Sequence, residues 1–200
     1  MMSTMPTDAG QWNARYAEGR DRWDLGRSPP ILDRLIAAQT KRRRVLVPGA
    51  GHGHDAIAWA RAGHRVVAYD FAPLAVESLR ARARDEGVEV EVREVDVLAA
   101  PVELRGHFDL VWEQTCLCAL PPEQRRPYLE SMRLALEPGG QMVALLWNHG
   151  NEGGPPWNMS PVVVEQLVAG IFTVERREPV EASIAEREPE WLWWLRALLR

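Results

Sequence analysis

The sequence predicts an α/β fold built on a mostly parallel sheet, and three observations carry that prediction. Along residues 44–147, short β-branched runs of strand length alternate with amphipathic segments of helix length. The runs RVLVPG (44–49) and QMVALLW (141–147) are almost continuously hydrophobic, as strands covered on both faces are. Turn residues separate the segments, with Pro-Gly closing the first run and Glu-Pro-Gly-Gly preceding the last. At 200 residues, 46% hydrophobic and 26% charged, the chain has material for one domain with a full core, which excludes global disorder.

RVLVPG is read as the first strand. HDAIAWARA (54–62) follows as a helix with Ile57 and Ala60 on one face and Gly63 just past its end. RVVAYD (65–70) is the second strand. PLAVESLRARARDEG (73–87) is a helix with proline at its start, Val76, Leu79 and Ala83 turned inward, and glycine after it. VEVEVREVDV (88–97) alternates with period two as the third strand, and FDLVWE (108–113) is the fourth. Residues 127–136 return to helix with Leu129, Met132 and Leu136 on one stripe, and QMVALLW is the fifth strand. HGNEGGPPWNMSP (149–161) has no periodicity and is read as an active-site loop over 149–160. Ser160 can cap a helix running to about Gly170, and FTVERREPVEASI continues as one or two strands. The ending EPEWLWWLRALLR (188–200) is an apolar run open to either reading, with helix preferred.

Net charge is −4 and the isoelectric point near 5.8, which argues against nucleic acid or an anionic membrane surface as the main partner. No apolar stretch approaches the ~20 residues a bilayer requires, and MMSTMPTDAGQ lacks a basic and an apolar leader region. A cytoplasmic monomer is the expectation. Cys116 and Cys118 form a C-x-C pair that matches neither a redox nor a zinc spacing, so they are read as small hydrophobes, and no metal is expected. Lys41 to Arg44 reads as a solvated turn.

Chemistry concentrates at predicted strand ends. Gly49-Ala50-Gly51-His52-Gly53-His54-Asp55 lies between the first strand and its helix, where glycines let a ligand approach the backbone and a helix N-terminus offers free N–H groups. Read from Gly51, it satisfies G-x-G-x-x-A with Asp70 as the acid beyond it, although a glycine turn needed only for packing would look the same. Asp70 can accept both hydroxyl protons of an adenosine ribose or cap the next helix, and the two roles are compatible. Asp96 with Val97 ends the third strand, as an adenine contact or as a solvated acid. In open α/β sheets, ligands bind where these carboxyl ends converge.

WNARYAEGRDRWDLGRSPPIL, VLVPGAGHGHDAIAWARAGHRVVAYDFAPLAVE, FDLVWEQTCLCALPPEQRRPYLESMRLALEPGG and GGPPWNMS resemble, in order and spacing, the thiopurine methyltransferase family of S-adenosylmethionine-dependent enzymes. W-D-L-G-R-S-P-P after W-x-x-x-Y is closest to its thiol and halide methyltransferase branch. The resemblance implies a class I methyltransferase Rossmann-like sheet of seven strands, with helices on both faces. It carries cofactor contact to Trp12, Tyr16, Trp23, Gly49, Asp70, Asp96 and Val97, and Gly51, Gly53 and Gln114 complete the candidate set. The product form would be S-adenosylhomocysteine. It places Arg125, after P-P-E-Q, toward the acceptor. Two departures stand out: Tyr16 where relatives often have a second tryptophan, and Gln114 where thiol/halide relatives carry tyrosine, which favours thiols over halides.

Methyl transfer from a sulfonium to a soft nucleophile needs alignment in a dry site, and aromatic faces provide both water exclusion and cation–π attraction. Trp12, Tyr16, Trp23, Trp147 and Trp157 are candidates for such walls, whereas Trp59, Trp112, Trp191, Trp193 and Trp194 are assigned to packing. Residues 1–30 would form a cover segment. His149 and Glu113 are possible proton acceptors, and Arg125 could raise the thiolate fraction of an acceptor. Two other readings remain open from the residues themselves. One is a nicotinamide-dependent oxidoreductase, and the other is a non-catalytic adenosyl-ligand binding module.

Overall fold

The computed structural model describes residues 8–99, 101–181 and 184–199. Its seven strands form one sheet: β1 (Arg44–Pro48), β2 (Arg65–Asp70), β3 (Glu91–Glu94), β4 (Phe108–Gln114), β5 (Leu136–Trp147), β6 (Phe172–Pro179) and β7 (Glu190–Ala197). The order is β3-β2-β1-β4-β5-β7-β6. The first five pair in parallel, and β7 runs antiparallel to both β5 and β6. Strand order reverses between β1 and β4, so a crevice opens at their carboxyl ends.

Six helices cover the sheet: α1 (Ala9–Ala17), α2 (Pro30–Ala37), α3 (His54–Arg61), α4 (Pro73–Asp85), α5 (Pro122–Ala135) and α6 (Pro161–Val168). On one face, Leu32, Trp59, Leu79 and Trp112 form a core; on the other, Tyr69, Tyr128, Met132 and Trp193 do. Trp59, Trp112 and Trp193 are fully buried, as their packing role requires. Both cysteines are free and buried.

Several elements depart from the sequence reading. The C-terminal run is the strand β7, not a helix. Its alternation sends Leu192, Trp193 and Leu195 into the cores, and β5 and β6 supply hydrogen-bonding partners on both edges. The N-terminal cover contains two helices that no apolar periodicity announced: α1, capped by the Asp8 side chain on Gln11 N–H, and α2, entered through Pro30. Helix α5 starts at Pro122, because proline suits a first turn whose N–H groups have no helical partner. Arg44 stays 40% exposed at its side chain and pairs with Asp109 and Glu137 at 3.0 and 2.5 Å.

Candidate active site

A cavity of about 860 Å³ occupies the crevice at the carboxyl ends of the parallel strands. Of the residues singled out from sequence, Trp12, Tyr16, Trp23, Gly49, Asp70, Asp96, Val97 and His149 line it. The glycine loop is shaped by close approach. A Cβ on Gly49, at φ +58°, would lie 2.7 Å from the Cys116 sulfur, so only glycine lets β1 and β4 come together here. Gly53 has a different task. A Cβ there would lie 1.8 Å from Leu79 Cδ1, which makes it a packing glycine between α3 and α4 that does not line the cavity.

Asp70 ends β2 almost fully buried. Its Oδ2 accepts the Gly51 N–H at 2.9 Å and its Oδ1 the Ala72 N–H at 3.0 Å. Burial raises its carboxyl above the usual range, and the three backbone N–H groups of Ala72, Gly51 and Phe71 work against that. The two readings of Asp70 therefore coincide: it braces the glycine loop and the start of α4, and it still faces the cavity with unused lone pairs. Asp96 accepts the Leu98 N–H at 2.9 Å and sits beside Val97 on the same wall.

The N-terminal segment closes one side as an aromatic panel. Trp23 meets Trp12 and Tyr16 edge-on, with ring centroids 5.2 and 5.5 Å apart. Polar tethers hold the panel down. Asn13 Oδ1 accepts the Leu74 N–H at 2.8 Å, and His52 Nε2 meets Asp21 at 2.8 Å. Enclosure pushes the Tyr16 hydroxyl far above its ordinary pKa, with Asp70 adding to the effect.

The opposite wall comprises Leu145, Trp147, His149, Glu186, Arg187 and Glu190. Arg187 was not singled out from sequence. It is 7% exposed, donates to the Trp23 carbonyl, and has no carboxylate partner within ion-pair distance among the described residues. It sits in a single 3-10 turn (Ala185–Arg187) too short to leave a periodic signal. His149 Nδ1 accepts the Asn151 N–H at 3.1 Å, so the neutral ring carries its proton on Nε2. Nε2 is buried without a hydrogen-bond partner. His149 therefore offers the cavity a donor, not the proton acceptor expected of it.

Two residues stand elsewhere than expected. Arg125 does not line the cavity: its Nε donates to the Leu120 carbonyl at 3.1 Å and its guanidinium lies 4.9 Å from the Trp157 ring, because the first turn of α5 folds it under the wall. Gln114 faces a separate cavity of about 70 Å³ behind the glycine loop, together with Gly51, because the alternation of β4 turns it from the main crevice. No basis for choosing thiols over halides survives at position 114. Between these positions, Thr115 adopts a left-handed φ of 63° and, with Cys116 and Cys118, forms the cavity wall next to Gly49.

The family model for thiopurine S-methyltransferase (TPMT) matches residues 7–192. The chain belongs to this family. It is 30% identical over 188 residues to thiocyanate methyltransferase 1 of Brassica oleracea, covering 90% of this chain and 81% of that one. It is 28% identical over 183 residues to thiopurine S-methyltransferase of Vibrio vulnificus (strain YJ016), covering 82% of each. Among solved structures, the Burkholderia thailandensis 1,6-didemethyltoxoflavin-N1-methyltransferase, crystallised with S-adenosylhomocysteine, superimposes with a TM-score of 0.72 at 20% identity over 99% of this chain and 94% of that one. At that identity it shows the fold alone, a class I methyltransferase Rossmann-like sheet. This TPMT-family chain is an S-adenosylmethionine-dependent methyltransferase, which removes the nicotinamide-dependent and non-catalytic alternatives. The cavity suits that cofactor: a buried carboxylate with free lone pairs stands at the end of β2, and the Gly49 backbone lines the same wall.

Proposed function

We propose that this protein methylates a small soft nucleophile, a thiol above all, in the cavity between the N-terminal panel and the Trp147–Arg187 wall. The observation that carries this reading is Arg187, a buried cation facing an aromatic-walled cavity and held by the Trp23 carbonyl, with no carboxylate within ion-pair distance among the described residues. S-adenosylmethionine, when bound, supplies an activated methyl group on a sulfonium centre. In this reading Asp70 accepts from the ribose, Asp96 and Val97 face the adenine, and Gly49 gives the backbone approach. Trp12, Tyr16 and Trp23 exclude water, and the ring faces favour the sulfonium's charge. Arg187 and the His149 Nε2–H stabilise negative charge on an incoming sulfur, which holds a larger share of the acceptor as thiolate. The names of relatives, among them a thiocyanate methyltransferase and a probable thiol methyltransferase of Arabidopsis thaliana, support the same acceptor class.

Among the described residues no helix is long and apolar enough to cross a membrane. Two free cysteines fit the reducing cytoplasm, where we place the enzyme. An acceptor panel with methyl-labelled cofactor tests the reading: thiols should give methyl thioethers, and Arg187→Leu should lower kcat/KM for thiols about tenfold to a hundredfold, the range for losing a charge-assisted contact. Cofactor binding without product from any thiol, thiocyanate or halide would overturn it.

A further inference from the structure

If the acceptor is a thiol, its proton must leave before or during transfer, and His149 presents a donor to the cavity. One chain of polar groups leads from the cavity wall into the core. Cys116 lines the cavity and packs in the same buried cluster as Tyr128, whose hydroxyl holds down a thiol that burial raises. Tyr128 is fully buried, and its hydroxyl donates to Glu113 Oε2 in a short contact. Glu113, on β4, is also fully buried, and its other oxygen accepts the Leu117 N–H at 2.7 Å. Oε2, which faces the Tyr128 hydroxyl, is the oxygen placed to receive a proton from it. No cation lies within ion-pair distance of Glu113 among the described residues, so its charge is held by hydrogen bonds alone.

Resting on the thiol-methyltransferase reading, we infer that Glu113 is the proton acceptor for the acceptor thiol, reached through Tyr128 and Cys116. The step balances as a relay. The acceptor's S–H bond breaks and its electron pair stays on the acceptor sulfur; that proton goes to Cys116 Sγ as the Cys116 proton passes to Tyr128 Oη; the Tyr128 proton passes to Glu113 Oε2. After product leaves, the proton returns along the same chain. Burial pushes the Glu113 carboxyl up to about 7, with the Tyr128 and backbone hydrogen bonds opposing, close enough to an ordinary thiol near 8.5 for the transfer to cost little. The same chain keeps Cys116 protonated at rest, because burial and then Glu113 hold its thiol well above the usual range.

The test compares acceptors that carry a proton with acceptors that do not. Wild type, Glu113→Gln and Tyr128→Phe are assayed on 2-mercaptoethanol, on 5-thio-2-nitrobenzoate, which is already ionised at neutral pH, and on iodide. Each variant should lower kcat/KM for 2-mercaptoethanol about a hundredfold, the lower end for general-base catalysis. On the ionised acceptors both should stay within about threefold of wild type. The double variant should lose no more than either single one, as members of one relay do. Equal losses on all acceptors would reduce Glu113 to a prop for the 115–118 turn and overturn the relay, as would no loss on 2-mercaptoethanol. Wild type that methylates none of the acceptors overturns the proposed function itself. Should Glu113→Gln fail to fold, Tyr128→Phe, which removes one hydroxyl, decides alone.

Discussion

Asp70 shows how one side chain serves both fold and cofactor. Its two oxygens accept from Gly51 and Ala72, so the carboxylate sets the glycine loop against the start of α4 before any ligand arrives. Asp70→Ala should weaken S-adenosylmethionine and S-adenosylhomocysteine alike by about tenfold to a hundredfold, from the loss of about 1.5–3 kcal/mol of charge-assisted hydrogen bonding. Calorimetric affinities within twofold of wild type would remove it from the site. This residue was legible because a strand end after a glycine loop fixes where an acid points. Arg187 was not, since a single turn after a long loop has no periodicity to place it. Arg125 and Gln114 were misplaced for a shared reason: spacing along the chain gives a residue's neighbourhood but not the face of the helix or strand on which it stands.

At the scale of elements, the strands between residues 44 and 147 were readable because a parallel core strand is hydrophobic on both faces and bounded by turn residues. The last strand was not, because EPEWLWWLRALLR is apolar at both helical and alternating spacings, and only the free edges of β5 and β6 decide between them. Strand β7 joins those two strands, and Trp193 is its deepest side chain. Trp193→Ala should cost about 3–5 kcal/mol of unfolding free energy in a urea titration, the range for a large aromatic removed from a core. A loss under 1 kcal/mol would mean that β7 is peripheral. The N-terminal panel belongs to the other extreme. Contacts of α1 with the body include the Asn13–Leu74 hydrogen bond and the Tyr16 ring edge-on to His52 at 5.3 Å, and none of its side chains is fully buried, so this element should open at low cost. Cofactor should slow hydrogen exchange at the amides of Trp12 to Trp23 by tenfold or more, and deleting residues 1–24 should abolish turnover while sparing cooperative unfolding. Equal protection with and without cofactor would make the panel a fixed wall.

Besides Asp70 and Glu190, two carboxyls lie away from water beside the crevice: Glu113 beneath the Thr115 turn, and Asp55 in the first turn of α3, where the Trp112 indole N–H reaches it at 2.6 Å. Desolvation pushes both up to about 7, from 4.5 and 3.8, with the Tyr128 and Trp112 hydrogen bonds opposing. The folded protein therefore holds up to two protons that the unfolded chain has released, and the stability these groups contribute is complete below about pH 4 and lost as pH rises through 7. His54 and His64 work in the other direction: burial lowers both from 6.5, so their contribution is lost as pH falls. Asp109, which burial alone would raise, is held at about 2 by its hydrogen bonds to Arg44 and fails only in strong acid. The two buried carboxyls act between pH 5 and 7.5 in the opposite sense to these two histidines. Replacing both, as Asp55→Asn with Glu113→Gln, removes a pH-dependent contribution of a few kcal/mol, worth roughly 5–10 °C in a chain of this size. The Tm of the cofactor-free double variant should thus rise relative to wild type by about that amount from pH 5 to pH 7.5, while any fixed effect of the substitutions shifts both ends equally. A difference that stays constant across that range would show that both carboxyls are ionised in the folded protein, and Glu113 would then hold its charge through the hydrogen bonds of Tyr128 and Leu117.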